Sequence, residues 1–80
     1  MKAILVYTEV DAQYAALLHQ EATVFTSESA AWNFMKQWFD RVYDEIGGEY
    51  GIVGWYDYDG AEIKSAKQNR KYYWKILPAL

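Results

Sequence analysis

The sequence predicts an α+β domain, with one long amphipathic helix packed on an antiparallel sheet of four to five strands. Three observations carry that expectation. Residues 28–46 repeat their apolar side chains at helical spacing, and residues 2–8 and 71–77 are strand-like apolar runs. Asp59-Gly60 stands between two short apolar segments and signals a tight hairpin. Eighty residues with no internal repeat and no Pro/Gly/Ser-rich linker read as a single domain, residues 1–80.

Each element has its own local reason. Residues 2–8 are apolar on both alternating faces, with Ala3, Leu5 and Tyr7 on one and Ile4 and Val6 on the other, as in a central strand. This run stops at Thr8-Glu9, too short for the apolar region of a signal peptide or for a membrane span. Residues 11–21 fit two descriptions. Asp11 could cap a short helix over residues 12–18, or the run could be an extended hairpin arm. Residues 21–25 read as a short strand.

The helix over residues 28–46 has Ser27 as its N-cap, Glu28 at the positive end of its dipole, and Gly47-Gly48 as its stop. At 100° per residue, Ala31, Phe34, Met35, Trp38, Val42 and Ile46 fall on one face. Trp32, Phe39 and Tyr43 widen that arc to about half the cylinder, so the Trp32/Tyr43 edge is expected at the rim. Residues 50–56 form a strand in which Gly51 and Gly54 flatten one face or admit a bulge. After the Asp59-Gly60 turn come a strand over residues 61–66, a turn at Gln68-Asn69-Arg70, and a last strand over residues 71–77 that Pro78 ends.

Composition excludes much chemistry. The chain has no cysteine, which removes disulfides, thiolate metal ligands and thiol nucleophiles, and suits a reducing cytoplasm. His19 is the only histidine, so neither a His-pair metal site nor a catalytic triad is expected. Asp57-Tyr58-Asp59 has the D-x-D spacing of some metal-holding glycosyl-transfer sites, but its place in a hairpin tip accounts for both acids through turn hydrogen bonds. No glycine-rich loop opens a helix to hold a phosphate. No catalytic residue, metal ligand or cofactor site is assigned, and the chain is not expected to be an enzyme.

The formal charge of −3 conceals a split: residues 1–62 hold all eleven acids and sum to −8, whereas residues 63–80 sum to +5. The acids Asp40, Asp44, Glu45, Glu49, Asp57 and Asp59, with Trp32 and Tyr43 beside them, form a candidate surface for a protein partner that is itself basic. Such a carboxylate track would imitate a phosphate backbone. The alternative is a small nucleic-acid-binding module using Lys64, Lys67, Arg70, Lys71, Tyr73 and Lys75, where bases interleave with rings. In the simpler account of that segment, Tyr72, Trp74 and Ile76 enter the core and Lys71, Tyr73 and Lys75 stay outside. The acidic bulk of the chain makes naked nucleic acid an unexpected partner.

Small size, absent cysteine, crowded rings and an acidic body combine here with three local features. These are the opening Met1-Lys2-Ala3-Ile4-Leu5-Val6-Tyr7, the junction Val24-Phe25-Thr26-Ser27-Glu28 into an aromatic helix, and the hairpin Asp57-Tyr58-Asp59-Gly60. In this style the chain resembles the anti-CRISPR proteins of phages and other mobile elements, a group without a shared signature from which residue roles could be carried over. The resemblance implies stoichiometric binding to a CRISPR effector of the Cascade type in the host cytoplasm, blocking its target DNA. From the residue inventory alone, calorimetric titration with magnesium, manganese or zinc should show no saturable tight site. A micromolar site lost in Asp57→Asn/Asp59→Asn would overturn that reading of the D-x-D.

Overall fold

A strand apolar at every second position needs a layer on that face, and the single long helix supplies it. The structure, a computed structural model, describes residues 2–46 and 52–79; Gly47-Gly48, Glu49, Tyr50 and Gly51 lie outside the described residues. The elements are β1 (Lys2–Asp11), β2 (Leu17–Phe25), α1 (Glu28–Ile46), β3 (Ile52–Tyr56), β4 (Gly60–Ser65) and β5 (Arg70–Ala79). All strand pairs are antiparallel, in the order β2-β1-β5-β4-β3, and α1 covers one face.

The strand period of two decides what α1 covers. Ala3, Leu5 and Tyr7 from β1, Ala61 and Ile63 from β4, and Tyr72, Trp74 and Ile76 from β5 are buried beneath Ala31, Met35, Phe39 and Ile46 of the helix. Trp74 lies at the centre, with ring centroids 5.2 Å from Tyr7, 6.0 Å from Trp38 and 5.9 Å from Phe39. Lys71, Tyr73 and Lys75 lie on the other face, as the simpler account of that segment requires. Ser27 caps the helix: its Oγ accepts from the Ala30 N–H at 3.0 Å and its carbonyl from the Ala31 N–H at 3.2 Å.

Residues 11–21 take the extended form. Asp11 Oδ1 accepts from the N–H groups of Gln13 and Tyr14, each at 2.9 Å, and the Asp11 N–H donates to the Ala16 carbonyl at 2.9 Å. The capping chemistry expected of Asp11 is present, but it closes a turn. A helix of a few residues would gain little on its own, whereas β2 pairs along β1 from Ala3↔Phe25 to Val10↔Leu17. The turn places Ala15 at φ 54°, in the left-handed region that a side chain disfavours.

Three details correct the sequence reading. Phe34, expected on the packed face, is 44% exposed; it leans over the edge strand β2 onto Phe25, 5.3 Å away, because no element lies beyond that edge. The β3–β4 turn centres on Tyr58-Asp59, one residue before Asp59-Gly60, since the Asp57 N–H donates to the Gly60 carbonyl at 2.9 Å. Gly60 is required for another reason: a Cβ there would sit 2.9 Å from the Trp74 carbonyl oxygen on β5. Lastly, Pro78 continues β5 opposite Ala3. The Ile76 N–H points away from β1 to the Asp59 carbonyl at 2.8 Å, and Pro78 has the same parity, so its missing N–H falls beyond the end of β4 and removes no ladder bond. Gly54 flattens its face of β3 as expected, lying under Tyr43 and Phe39, and the register over Ile52–Tyr56 runs without a bulge.

Unfolding in urea should rank two substitutions in opposite directions. Gly60→Ala should destabilise by about 2 kcal/mol because the obstacle is backbone, and Ala15→Gly should stabilise by about 0.5–1 kcal/mol by relieving the left-handed residue. Equal midpoints for Gly60→Ala and the parent protein would refute the close approach of the hairpin to β5.

Candidate functional site

The β3–β4 hairpin tip is held from two sides. The Trp32 indole Nε1–H of α1 donates to the Asp57 carbonyl at 2.8 Å. On the β5 side, Lys75 Nζ lies 2.7 Å from Asp59 Oδ2 and the Ile76 N–H reaches the Asp59 carbonyl. Within the tip, Asp57 Oδ1 accepts from the Asp59 N–H at 3.1 Å, the turn role that the D-x-D spacing suggests. Tyr58 projects outward and is 85% exposed.

Helix and tip enclose a shallow, open groove of ≈ 520 Å³ lined by Glu28, Ser29, Trp32, Tyr56, Asp57 and Tyr58. That volume would admit a small ligand. The groove is broad, and its lining sets the rings Trp32, Tyr56 and Tyr58 beside Glu28, Ser29 and Asp57. Ring contacts continue along this edge of the helix. Trp32 meets Tyr56 edge-on at 6.0 Å, Phe39 meets Tyr56 at 5.3 Å, and Phe39 stacks on Tyr43 at 5.8 Å. Lys36 Nζ lies 5.0 Å from the Tyr56 ring centroid and 2.6 Å from Asp40 Oδ2.

The expected partner-binding residues therefore fall into two groups, and within the second Glu45 lies on the β2 flank of α1, away from Trp32 and Tyr43. Trp32, Asp57 and Asp59 meet at the groove. Asp40, Tyr43, Asp44 and Glu45 lie about two to three and a half turns further along α1, about 12–20 Å away by helical rise. Glu49 is outside the described residues. The carboxylates are not equivalent. Asp40 is paired with Lys36 and Asp59 with Lys75, whereas Asp44, Glu45 and Asp57 make no ion pair among the described residues. The hydrogen bond from Lys75 holds the Asp59 carboxyl below its ordinary pKa, and Asp59 in turn raises Lys75. Tyr56, Tyr58 and Glu28 belong to the groove although the sequence reading did not select them. The alternation of rings and acids through Trp55-Tyr56-Asp57-Tyr58 was the available signal.

The basic set divides as well. Lys64, Lys71, Tyr73 and Lys75 lie on the opposite, uncovered sheet face. Arg70 points to the helix side and pairs with Glu9 at 2.7 Å, and Lys67 lies in the turn between β4 and β5. Glu9 also accepts from the Tyr7 hydroxyl at 3.0 Å, and burial together with that bond raises the Tyr7 pKa far above its ordinary value. His19 sits on β2 with Nε2 2.9 Å from Glu21 Oε2. Among the described residues no three His, Asp or Glu side chains converge as a metal site, and no helix is long and apolar enough to cross a membrane. Comparison with protein-family models, with curated proteins and with solved structures finds no match.

The Asp59–Lys75 pair sets a pH signature. A carboxylate with a lowered pKa adds stability above its ordinary value of 3.8 and loses that share as pH falls through the folded-state value. The melting temperature of Asp59→Asn should therefore lie below that of the parent protein at about pH 6 and converge with it towards about pH 2. A gap that persists unchanged into acid would show that charge pairing with Lys75 is not its cause.

Proposed function

We propose that the protein is a stoichiometric inhibitor that binds another protein and occupies its basic, nucleic-acid-binding surface with the helix–hairpin face. One observation carries this reading: the unpaired carboxylates Asp44, Glu45 and Asp57 and the accessible rings Trp32, Tyr43, Tyr56 and Tyr58 lie on the helix-covered side or at the hairpin tip, with Glu45 on the β2 flank of α1 and Trp32 and Tyr43 on its β3 flank, while the unpaired lysines of the sheet lie on the opposite side. Asp40 and Asp44 stand one helical turn apart, about 6 Å along the axis, and in that row Asp40 is shared with Lys36 while Asp44 carries the unpaired charge. A groove built to hold phosphates would meet that row as a DNA mimic.

Long-range attraction between the acidic face and such a groove would speed encounter, and ring burial would slow release. The Trp32 indole and the Tyr56 ring are already fixed against each other and against the tip, so little side-chain freedom is lost on docking. The mechanism uses no catalytic group and no cofactor. Together with the anti-CRISPR style of the sequence, it makes the DNA-binding groove of a Cascade-type CRISPR effector the candidate target, and the host cytoplasm the place of action.

The test is a mobility-shift assay with a purified Cascade-type complex and its target duplex. The protein should abolish DNA binding at stoichiometric ratio, and less effectively as salt rises. Asp44→Lys/Glu45→Lys should weaken the block at least about tenfold with an unchanged melting temperature, since both side chains are exposed and unpaired. Undiminished, salt-independent inhibition by that variant would sink the phosphate-mimic mechanism.

A further inference from the structure

Because α1 covers one face of the sheet, the other stands open, and its side chains follow from the register. Lys64 and Lys71 are direct cross-strand partners on that face. Like charges placed opposite each other are unfavourable, and neither lysine has an ion pair among the described residues. Both line a shallow pocket with Val53 and Ala66. The adjoining row, about 7 Å along the strands, runs Tyr73–Glu62–Trp55 across β5, β4 and β3. Trp55 is 50% exposed at the sheet edge.

We propose that this open face binds single-stranded nucleic acid, with phosphates on Lys64 and Lys71 and bases stacked on Tyr73 and Trp55. Two uncompensated cations side by side call for an anionic partner, and rings in the next row suit one whose charge alternates with flat apolar groups. Glu62, between the two rings, is an acceptor for an exocyclic amino group of a base. The chain's net negative charge does not prevent this. Among the described residues Glu62 is the one acid placed on this face; the acids of the inhibitor reading lie on the helix side or at the hairpin tip, and the molecule's smallest extent, 16 Å, is about twice the screening length of about 8 Å at physiological salt. A second copy is a poorer occupant, because packing the face on itself would set the lysine pair against its own copy or bury it on Ile4 and Leu77. This inference is independent of the inhibitor reading.

The test is fluorescence anisotropy with labelled DNA and RNA oligonucleotides of about twelve nucleotides, single-stranded and as duplexes, at about 50 and 200 mM salt. Saturable binding that favours single strands and falls with salt is expected. Lys64→Glu/Lys71→Glu should weaken it at least about tenfold, with a salt slope shallower by about 1.4. Tyr73→Ala and Trp55→Ala should each cost at least about fivefold, and Trp55→Phe should retain most of the affinity. Circular dichroism checks each fold, with Lys64→Ala/Lys71→Ala as the milder substitute. Absence of saturable binding at low salt, equal affinity for duplexes, ring variants that bind as the parent does, or sedimentation as a dimer that these face substitutions dissociate would each overturn the proposal. The lysine variants should still inhibit the effector and Asp44→Lys/Glu45→Lys should still bind oligonucleotide, so the two readings fail separately.

Discussion

Trp74 sets the registration of the two layers. Its indole occupies the space where β1, β5 and α1 meet, among Tyr7, Trp38 and Phe39, and it is almost wholly buried. Removing so large a side chain from a core typically costs about 3–5 kcal/mol, a large share of the stability of a domain this small. Because side chains alternate along a strand, seating Trp74 under the helix also seats Tyr72 and Ile76 there and turns Lys71, Tyr73 and Lys75 outward. A slip of one residue would bury the lysines and expose the rings. Shape selects this arrangement at some expense, since the buried Trp74 Nε1–H has no hydrogen-bond partner among the described residues.

Surface chemistry follows the same partition. The covered side of the sheet presents a helix whose outer surface and neighbouring hairpin carry accessible carboxylates and rings, and the uncovered side presents lysines and rings. An acidic half and a basic half in sequence become two faces in space, although the correspondence is imperfect. Arg70 crosses to the helix side to meet Glu9, and Lys75 is drawn to Asp59. The net charge of the chain is therefore a poor guide to what either face attracts.

The amphipathic helix, its Ser27 cap, the inward parity of Tyr72, Trp74 and Ile76, and the rim position of Trp32 and Tyr43 were legible because each rests on local periodicity or capping chemistry. The elements that were not legible depend on distant partners. Residues 11–21 have both helix formers and strand formers, and only pairing along the whole of β1 decides between them. Phe34 has the spacing of a core residue but lies over an edge, and the sheet order that creates the edge is not a local property. For the site, residue types indicated where acids cluster, but which acids are neutralised was hidden. The Asp59–Lys75 pair joins the hairpin turn to a strand sixteen residues away, whereas Lys36–Asp40 is an ordinary i,i+4 pair that local spacing could have shown.

The central position of β5 bears on how the chain acquires its structure. The last strand pairs with β1 from Lys2↔Ala79 to Asp11↔Arg70 and with β4 on its other edge, so it joins the two hairpins of the sheet. Until β5 arrives, β1–β2 and β3–β4 have no common strand and the site of Trp74 is empty. The β1–β5 ladder closes most of the chain into a loop, a non-local step that slows folding relative to local hairpins and helices. During synthesis, the helix and the first hairpin can form as they emerge, but the sheet cannot close before the last strand has been made. Until then one edge of β1 is unpaired and the core lacks Trp74, and this is the interval in which the chain is most exposed to misassociation.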